Sequence, residues 1–199
     1  MKPHLIDLPQ LQRNLPEIRR ALNQHRLIIF PSDTVYGICC LARSLKAQRR
    51  LYHAKGRDRT KRLQVLFSSL QMLERYCLLD SNEQAFARRW FPGQVSMILR
   101  LREPLSPLLK ETICARIPDH QTLRQLVEQS GPMIATSLNA SSKPIITELQ
   151  NCPPRIFHRC AWIIREGILG SIPTTIIRLN DGQLEILRDG FVARSTLEA

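Results

Sequence analysis

The sequence predicts an α/β fold: a single domain with a mixed β-sheet flanked by helices. Apolar runs typical of strands alternate with amphipathic helical patterns along all 199 residues, and this alternation is the signature of an α/β sheet. The last two strand-like runs are joined by Asn180-Asp181-Gly182, a hairpin turn, so the sheet contains an antiparallel pair. A hydrophobic content of 43% supports one ordinary core, and we expect one domain over residues 1–199.

The first part of the chain is predicted to form a helix, a strand and a second helix. The apolar side chains of the first helix, over residues 10–25, recur at spacings of four, three and four: Leu11, Leu15, Ile18 and Leu22. The apolar run of residues 26–30 follows as a buried strand. Ser44 is the predicted N-cap of the next helix, because its hydroxyl can accept a hydrogen bond from the first turn, and that helix extends to about Lys55.

The rest of the chain continues the alternation of strands and helices. The β-prone run of residues 63–67 precedes two helices with Ser69 and Ser81 as predicted N-caps, and Phe91-Pro92-Gly93 ends the second. A further amphipathic helix ends at Gly131. The strands predicted in this part cover residues 95–101, 113–117, 133–136, 161–164, 174–179 and 184–187.

The chain is strongly basic, with a formal net charge of +12. Nine basic residues lie between positions 43 and 62, where Asp58 is the only acidic residue. The nine are Arg43, Lys46, Arg49, Arg50, Lys55, Arg57, Arg59, Lys61 and Arg62. Such a field attracts phosphates, whether they belong to a nucleotide or to RNA. For any single arginine of this run, a solvated helix face is the alternative interpretation.

What the sequence lacks disfavours several classes of protein. No apolar stretch approaches the ~20 residues of a membrane span, and the N-terminus lacks the apolar segment of a signal peptide, so a cytoplasmic location without membrane contact is expected. Neither standard glycine-rich nucleotide motif is present. The six cysteines form no C-x-x-C pair, and several lie in apolar runs, which favours buried free thiols over a metal site or disulfides.

A polar turn followed by a cationic pair is the strongest functional signal. Residues 31–37, Pro-Ser-Asp-Thr-Val-Tyr-Gly, follow the first predicted strand, and open α/β sheets bind ligands at such strand ends. Lys55 and Arg57 come eighteen and twenty residues after this turn, with Lys61 close behind. Lysine offers a compact charge and arginine a planar fork of donors, so these three side chains are candidates for binding a triphosphate.

Polar side chains also follow other predicted strands. Ser137 and Asn139 come directly after the strand of residues 133–136. Arg116 is the charged residue of an otherwise apolar strand, a costly position unless its guanidinium meets an anion. That anion is either a ligand or the carboxylate of a structural salt bridge, and the sequence leaves both open. Thr174 and Arg188 repeat the pattern at the ends of late strands.

In this order, these motifs resemble those of the YrdC/YciO-like family, from about residue 10 to Gly190, which we expect to be the core of the domain. Besides residues 31–37 and Lys55-Gly56-Arg57, the matching motifs are Trp-Phe-Pro-Gly-Gln-Val at 90–95, Ala-Arg-Ile-Pro-Asp-His at 115–120, Thr-Ser-Leu-Asn at 136–139, Pro-Thr-Thr-Ile-Ile at 173–177 and Leu-Arg-Asp-Gly at 187–190. The resemblance implies a twisted mixed sheet around a basic concave groove.

The typical activity of this family is threonylcarbamoyl-AMP synthase. The resemblance therefore implies that L-threonine, bicarbonate and ATP, the last with Mg²⁺, are converted to threonylcarbamoyl-adenylate and pyrophosphate. A separate transferase would then use the adenylate to modify the adenosine next to the anticodon of tRNA. Two alternatives stay open: a non-catalytic RNA-binding module on the same scaffold, and a carbamoyl-adenylate enzyme that acts on another acceptor.

The resemblance also implies roles for individual residues. It makes Lys55 and Arg57 the catalytic cations. The side chains implied to bind ATP are Lys55, Arg57, Lys61, Thr112, Ser137, Asn139 and Arg188. Those implied to frame threonine are Thr34, Arg116, Ala135 and Thr174, with Arg116 pairing the threonine carboxylate. No protein ligand for a metal is implied. Leu66 and Ile145 stand where some members of the family have a histidine and a serine.

Overall fold

The computed structural model describes residues 2–56, 63–140 and 143–198. Within these residues, all eleven strands join one mixed β-sheet flanked by helices, so the predicted fold class is confirmed. In chain order the strands are β1 (His4–Asp7), β2 (Leu27–Phe30), β3 (Gly37–Leu41), β4 (Gln64–Leu66), β5 (Cys77–Leu78), β6 (Val95–Leu101), β7 (Thr112–Arg116), β8 (Met133–Ser137), β9 (Cys160–Arg165), β10 (Thr175–Asn180) and β11 (Gln183–Arg188). The helices are α1 (Leu11–Asn23), α2 (Leu45–Lys55), α3 (Leu70–Tyr76), α4 (Ser81–Trp90), α5 (Gln121–Ser130), α6 (Pro154–Phe157) and α7 (Arg194–Glu198), and two 3-10 turns lie at Leu8–Gln10 and Leu149–Asn151.

The order of the strands in the sheet differs from their order in the chain. It runs β1-β9-β2-β3-β8-β4-β7-β6-β10-β11, and β5 pairs with β6 beside this path. The pairs β1–β9, β2–β9, β4–β7 and β6–β10 are parallel, whereas the other pairs are antiparallel. The predicted hairpin between β10 and β11 is confirmed, and Asp181 and Gly182 adopt positive φ angles of 49° and 80° in its turn.

The sheet is buried where the polar turn leaves it. All four residues of β2, and all of β3 but its last residue, are buried, as expected for strands that are covered on both faces. The predicted apolar stripe of α1 is confirmed, since its leucine and isoleucine side chains are buried. A tightly packed centre thus holds the β2–β3 turn at one end of the strands.

The first turns of α2, α3 and α4 show which of the predicted N-cap residues are correct. Ser44 accepts a hydrogen bond from the Ala47 backbone N–H at 3.1 Å, and Ser69 caps α3 in the same way, so both predictions are confirmed. The prediction for Ser81 is wrong. Asp80 is the N-cap of α4, in a capping box with Glu83 in which each side chain accepts the backbone N–H of the other residue. The carboxylate one residue earlier closes the first turn and leaves Ser81 as the first helical residue.

Three strands of the structure, β1, β3 and β5, were not predicted from the sequence, and β5 is only two residues long. The residues of β3, Gly-Ile-Cys-Cys-Leu, are buried on both faces of the sheet, so they lack the polar–apolar alternation that marks a half-exposed strand. β1 is short and partly exposed, and it pairs with β9, whose residues follow more than 150 positions later. In the described part of the chain, no helix has the length and apolar character needed to cross a bilayer.

Candidate active site

A cavity of about 290 Å³ lies where the ends of several strands meet. The start of β3 and the end of β8 are adjacent there because Gly37 pairs with Ser137, and the end of β7 is adjacent to β4 because Arg116 pairs with Leu66. Six predicted site residues line the cavity: Thr34, Arg116, Ala135, Ser137, Thr174 and Arg188. They come from five separate segments of the chain, which the sheet brings to one place.

The β2–β3 turn has a fixed internal structure. The Ser32 hydroxyl donates to the Val35 carbonyl at 2.7 Å and accepts from the backbone N–H groups of Thr34 and Val35, each at 3.2 Å. This local pattern competes with continued strand pairing and forms a tight turn. Thr34 is 5% exposed, and its hydroxyl lies 3.1 Å from the Ser32 hydroxyl. The turn therefore presents Thr34 to the cavity in one orientation.

Arg116 reaches the same turn from β7. Its Nη2 donates to both carboxylate oxygens of Asp33, at 2.6 and 2.7 Å, and its Nη1 donates to the Thr34 hydroxyl at 3.3 Å. Its Nε donates to the Gly93 carbonyl at 3.0 Å. The Arg116 and Asp33 side chains are 3% and 9% exposed. Burial lowers the pKa of the Arg116 guanidinium, and the Asp33 carboxylate opposes that change.

The partner of Arg116 decides one of the alternatives that the sequence left open. A structural salt bridge with Asp33 is present, and Asp33 also accepts the backbone N–H of Asp119 at 3.2 Å. The charge of Arg116 is thus already compensated within the protein. Pairing of Arg116 with a threonine carboxylate stays a prediction, and the ligand would have to share the guanidinium with Asp33.

Lys55 approaches the cavity from behind β8. The side chain is 1% exposed, and its Nζ donates to the Thr136 hydroxyl at 3.2 Å and to the Ser137 carbonyl. Lys55 is the last residue of α2, where the helix dipole favours a cation. Gly56 ends the helix in the left-handed conformation, with φ of 58°. Lys55 does not line the cavity itself but contacts two residues that do.

A polar network surrounds Thr174 at the other side of the cavity. The Thr174 hydroxyl accepts from Ser96 at 2.9 Å, from Arg188 Nη2 at 3.2 Å and from Gln64 Nε2 at 3.4 Å. Arg188 Nη2 also donates to the Thr174 carbonyl at 2.6 Å. The exposed Arg188 guanidinium is therefore anchored along one edge on the segment that lines the cavity.

The remaining predicted site residues do not line the cavity or lie outside the described residues. Asn139 is buried, and Ser137 donates to its side-chain oxygen at 2.5 Å, so it orients a residue of the lining. Thr112 begins β7 but does not line the cavity. Arg57 and Lys61 lie outside the described residues. Their roles stay predictions, as do those of the residues that do line the cavity.

Sequence reasoning missed several residues of the site. Asp33 stood inside the most informative motif, yet its pairing with Arg116 spans 83 positions and left no local signal. Gln64 begins β4 and Ser96 lies within β6. Polar side chains are uncommon in such strands, so both were a usable signal. Phe30, Ile98 and Leu123 form part of an apolar wall, and in the sequence they are indistinguishable from core residues.

The cations at the cavity are fewer than the basic run suggested. Of the residues that the structure describes, Arg116 and Arg188 line the cavity, and Lys55 lies one contact behind it. The basic character of a wider groove depends also on residues 57–62, outside the described ranges, and stays a prediction. No group of three or more histidine, cysteine or acidic side chains is placed to hold a metal ion within the described ranges.

Comparison with known families assigns the chain. The family model Sua5/yciO/yrdC, described as telomere recombination, matches residues 20–190. The chain belongs to the Sua5/YciO/YrdC family. The family that the sequence motifs predicted is thereby confirmed, and the match covers every segment that contributes a side chain to the cavity.

Relatives within the Sua5/YciO/YrdC family include proteins of similar and of greater length. The chain is 30% identical to the threonylcarbamoyl-AMP synthase of Bacillus subtilis, over 96% of this chain and 58% of that protein. It is 25% identical to a putative threonylcarbamoyl-AMP synthase of Methanocaldococcus jannaschii, over 96% and 93% of the two chains. The crystal structure of Pyrococcus abyssi Sua5 complexed with L-threonine has the same fold, with a TM-score of 0.82 at 24% identity over 95% of this chain and 57% of that one. The chain thus spans little more than half the length of two of these three proteins.

Proposed function

We propose that this member of the Sua5/YciO/YrdC family is a cytoplasmic threonylcarbamoyl-AMP synthase that acts on L-threonine, bicarbonate and ATP. The observation that carries the proposal is the convergence of six predicted site residues, from five segments, on one cavity. The activities named for the Bacillus subtilis and Methanocaldococcus jannaschii relatives support it, as does the L-threonine bound to Pyrococcus abyssi Sua5.

The threonine end of the site would be the side of the cavity formed by Thr34, Arg116, Ala135 and Thr174. Arg116 is almost fully buried, so a carboxylate placed against it leaves water and interacts more strongly with the guanidinium. The Thr34 hydroxyl lies 3.3 Å from Arg116 Nη1, and both groups can donate to the same ligand oxygen. This arrangement suits an α-amino acid carboxylate.

The ATP end would be formed by Arg188, Ser137 and Asn139, with the amine of Lys55 behind them. Arg57, Lys61 and Thr112 complete the set that we propose for the triphosphate and nucleoside. Because Lys55 is buried and donates to the Ser137 carbonyl, its charge would act on a phosphate held above β8 without the screening of bulk water.

The proposed chemistry needs positioned charges more than a base. The threonine amine and bicarbonate give a carbamate and water, and one oxygen of the carbamate forms a bond to the α-phosphorus of ATP. The bond from that phosphorus to the bridging oxygen breaks, and pyrophosphate leaves. Mg²⁺ enters with the triphosphate as part of the substrate. Alignment of the reactants and neutralisation of the developing charge supply most of the rate in such reactions. A tRNA-modifying transferase would consume the product.

Pyrophosphate release from ATP tests the proposal. Release should require both L-threonine and bicarbonate, so omitting either one should abolish it. Release that does not depend on threonine would contradict the assigned acceptor and favour a carbamoyl-adenylate enzyme with another acceptor. No release, combined with tight salt-dependent binding of RNA, would favour the non-catalytic RNA-binding module.

A lysine pair on α2 provides a matched test of the site. Lys55→Met keeps the aliphatic stem and removes the buried charge, and we expect pyrophosphate release to fall about 100-fold or more. Lys46→Met removes the same charge from the exposed face of the same helix and should leave release unchanged. Thermal melts of both variants would show that the fold is retained. Equal rates for the two variants would remove Lys55 from the mechanism.

A further inference from the structure

A second pocket shares no lining residue with the cavity of the proposed active site. It has a volume of about 410 Å³ and is lined by three arginines, Arg43, Arg75 and Arg102, together with Tyr76, Glu103 and Leu105. We call it the arginine pocket. Its volume lies within the range of about 300–1,000 Å³ that is usual for small-molecule sites.

The strands of the sheet separate the arginine pocket from the cavity. β3 begins at Gly37, which lines the cavity, and Arg43 follows the other end of that strand. β6 likewise begins beside Thr174, because the Ser96 hydroxyl donates a hydrogen bond to the Thr174 hydroxyl. The strand ends just before Arg102. The cavity reaches Ile98 on β6, and the four residue steps from Ile98 to Arg102 span about 13 Å of extended strand. Two strands thus place the arginine pocket independently at their far ends, and none of its lining residues lines the cavity.

Three separate segments converge on the arginine pocket. The Arg102 backbone N–H donates to the Tyr76 carbonyl at 2.9 Å, and Arg102 Nε donates to the Glu74 carbonyl at 2.9 Å. Arg43 Nη2 donates to the Tyr76 hydroxyl at 2.9 Å, and its guanidinium carbon lies 5.9 Å from the Tyr76 ring centre. Arg43 and Arg102 are therefore fixed by contacts to Tyr76 and Glu74, and the exposed Arg75 lines the same pocket.

The arginine pocket carries more positive than negative side chains. In the described part of the chain, none of the three arginines lies within salt-bridge distance of a carboxylate, although Glu103 lines the same pocket. Three guanidinium groups against one carboxylate leave a net positive recess, which attracts a multivalent anion. The guanidinium fork fits phosphate oxygens in particular.

We propose that the arginine pocket binds a nucleoside polyphosphate, with the arginines on the phosphates and the base against Tyr76. The base would displace the Arg43 guanidinium from the face of the Tyr76 ring and stack there, which frees Arg43 for the phosphates. The apolar side chain of Leu105 suits the same partner. The Glu103 carboxylate accepts hydrogen bonds from ribose hydroxyl groups, whereas it opposes a purely inorganic anion. The recessed shape favours one nucleotide over a long polymer. The inference is independent of the proposed activity, because it concerns another place on the molecule.

Titration of the whole chain with ADP, followed by NMR, locates the binding. Signals of Tyr76 and Leu105 should shift and saturate, and they should do so equally in Arg188→Gln, which changes the cavity instead. Arg75→Gln should weaken the saturation at Tyr76 about tenfold or more. Among the described residues, the Arg75 side chain makes no ion pair that the substitution would break, and its backbone stays in α3, so the fold should be retained.

Two further variants make the test specific. Arg19→Gln removes the same charge from the exposed face of α1 and should leave the saturation at Tyr76 unchanged. Tyr76→Leu should weaken ADP about tenfold more than it weakens inorganic pyrophosphate, because only ADP carries a base to stack, whereas the loss of the hydroxyl that accepts from Arg43 affects both ligands. Equal affinities of Arg75→Gln and Arg19→Gln would overturn the proposal. So would shifts at Tyr76 that appear with an oligonucleotide and not with ADP.

Discussion

At the scale of single residues, the pairing of Asp33 with Arg116 defines the site. The guanidinium holds three parts of the protein together: the β2–β3 turn through Asp33 and Thr34, the loop before β6 through Gly93, and β7, to which it belongs. Such a group is costly to bury alone and is stabilised only by its partners. Asp33 is therefore a positioning residue, which holds Arg116 at the edge of the cavity.

Asp33→Asn tests this pairing. The substitution keeps the shape and removes the charge, so Arg116 is left buried without its counter-ion, and we expect the free energy of unfolding to fall by about 3 kcal/mol. Asp7→Asn breaks the exposed ion pair with Arg165 and should change stability little, since water solvates both groups. Urea unfolding of the two variants measures the difference. Similar midpoints for both would show that Asp33 does not compensate Arg116.

At the scale of elements, helix ends place the functional side chains. α2 starts at a serine cap and ends at a left-handed glycine, and these two signals fix the length of the helix and hence the position of Lys55. Ser44 also lies 2.7 Å from His25 Nδ1, next to the end of α1. The cap therefore connects the two helices as well as starting the second.

Ser44→Ala should lower the free energy of unfolding by about 1–2 kcal/mol, because the first turn of α2 loses its acceptor. Ser81→Ala is the matched control. Ser81 lies inside the first turn of α4 behind the Asp80 cap, and alanine is the better helix former, so stability should stay within about 0.5 kcal/mol. Chemical denaturation of both variants measures the two changes in the free energy of unfolding. A larger loss for Ser81→Ala would mean that the caps are assigned wrongly.

Gly190, in the loop after β11, lies close against the backbone of residues 173–175. A Cβ atom on Gly190 would lie 2.4 Å from the Thr174 carbonyl carbon and 2.5 Å from the Pro173 oxygen. The backbone is tied down there, because Phe191 N–H donates to the Pro173 carbonyl at 2.9 Å. The close approach lets β11 return beside Thr174 and carry Arg188 to the cavity.

Gly190→Ala should therefore destabilise the protein, by about 1–3 kcal/mol through overpacking, and should weaken whatever Arg188 binds. Gly37→Ala is the control for stability. A Cβ on Gly37 has its nearest neighbour at 3.6 Å, an ordinary contact, so the effect should stay within about 1 kcal/mol. Melting temperatures of the two variants test the argument, and equal values would contradict the steric account.

At the scale of the whole molecule, the core contains every thiol. All six cysteines are free and buried, as their apolar surroundings predicted. Burial raises the pKa of Cys39 and Cys77 to about 12 and that of Cys152 to about 11. Because the raised values lie above neutral pH, these thiols stay protonated and unreactive until the pH approaches them.

The native protein at pH 8 should therefore react only slowly with a thiol reagent such as Ellman's reagent, even though Cys39 and Cys114 line the cavity. In denaturant, all six thiols of the same protein should react rapidly with the reagent. The comparison of the native and the denatured protein in one buffer distinguishes buried thiols from oxidised ones. Disulfides would lower the number of thiols that react in denaturant. A fast reaction of even one thiol in the native protein would contradict the burial account.

Much of the fold follows from short stretches of the sequence. The helix of residues 10–25, the Ser44 cap, the Asn180-Asp181-Gly182 hairpin and the strands from residue 95 onward were predicted correctly. Each depends on periodicity, capping or turn chemistry that acts over a few residues. The candidate site residues came from polar groups at strand ends and from motif resemblance, and six of them line one cavity.

Pairing between strands that are distant in the sequence decided the remaining features, namely the order of the strands and the contacts of the site residues. β3 runs between β2 and β8, and β4 between β8 and β7, an order that no local pattern encodes. That order brings Asp33 to Arg116 across 83 positions and Lys55 to Ser137 across 82 positions. It also gathers three arginines in one pocket, of which only Arg43 belongs to the basic run of the sequence. Local chemistry therefore determines which side chains are available and which elements carry them. Only the packing of distant strands decides which of those side chains meet, because each such contact depends on the positions of all the strands between.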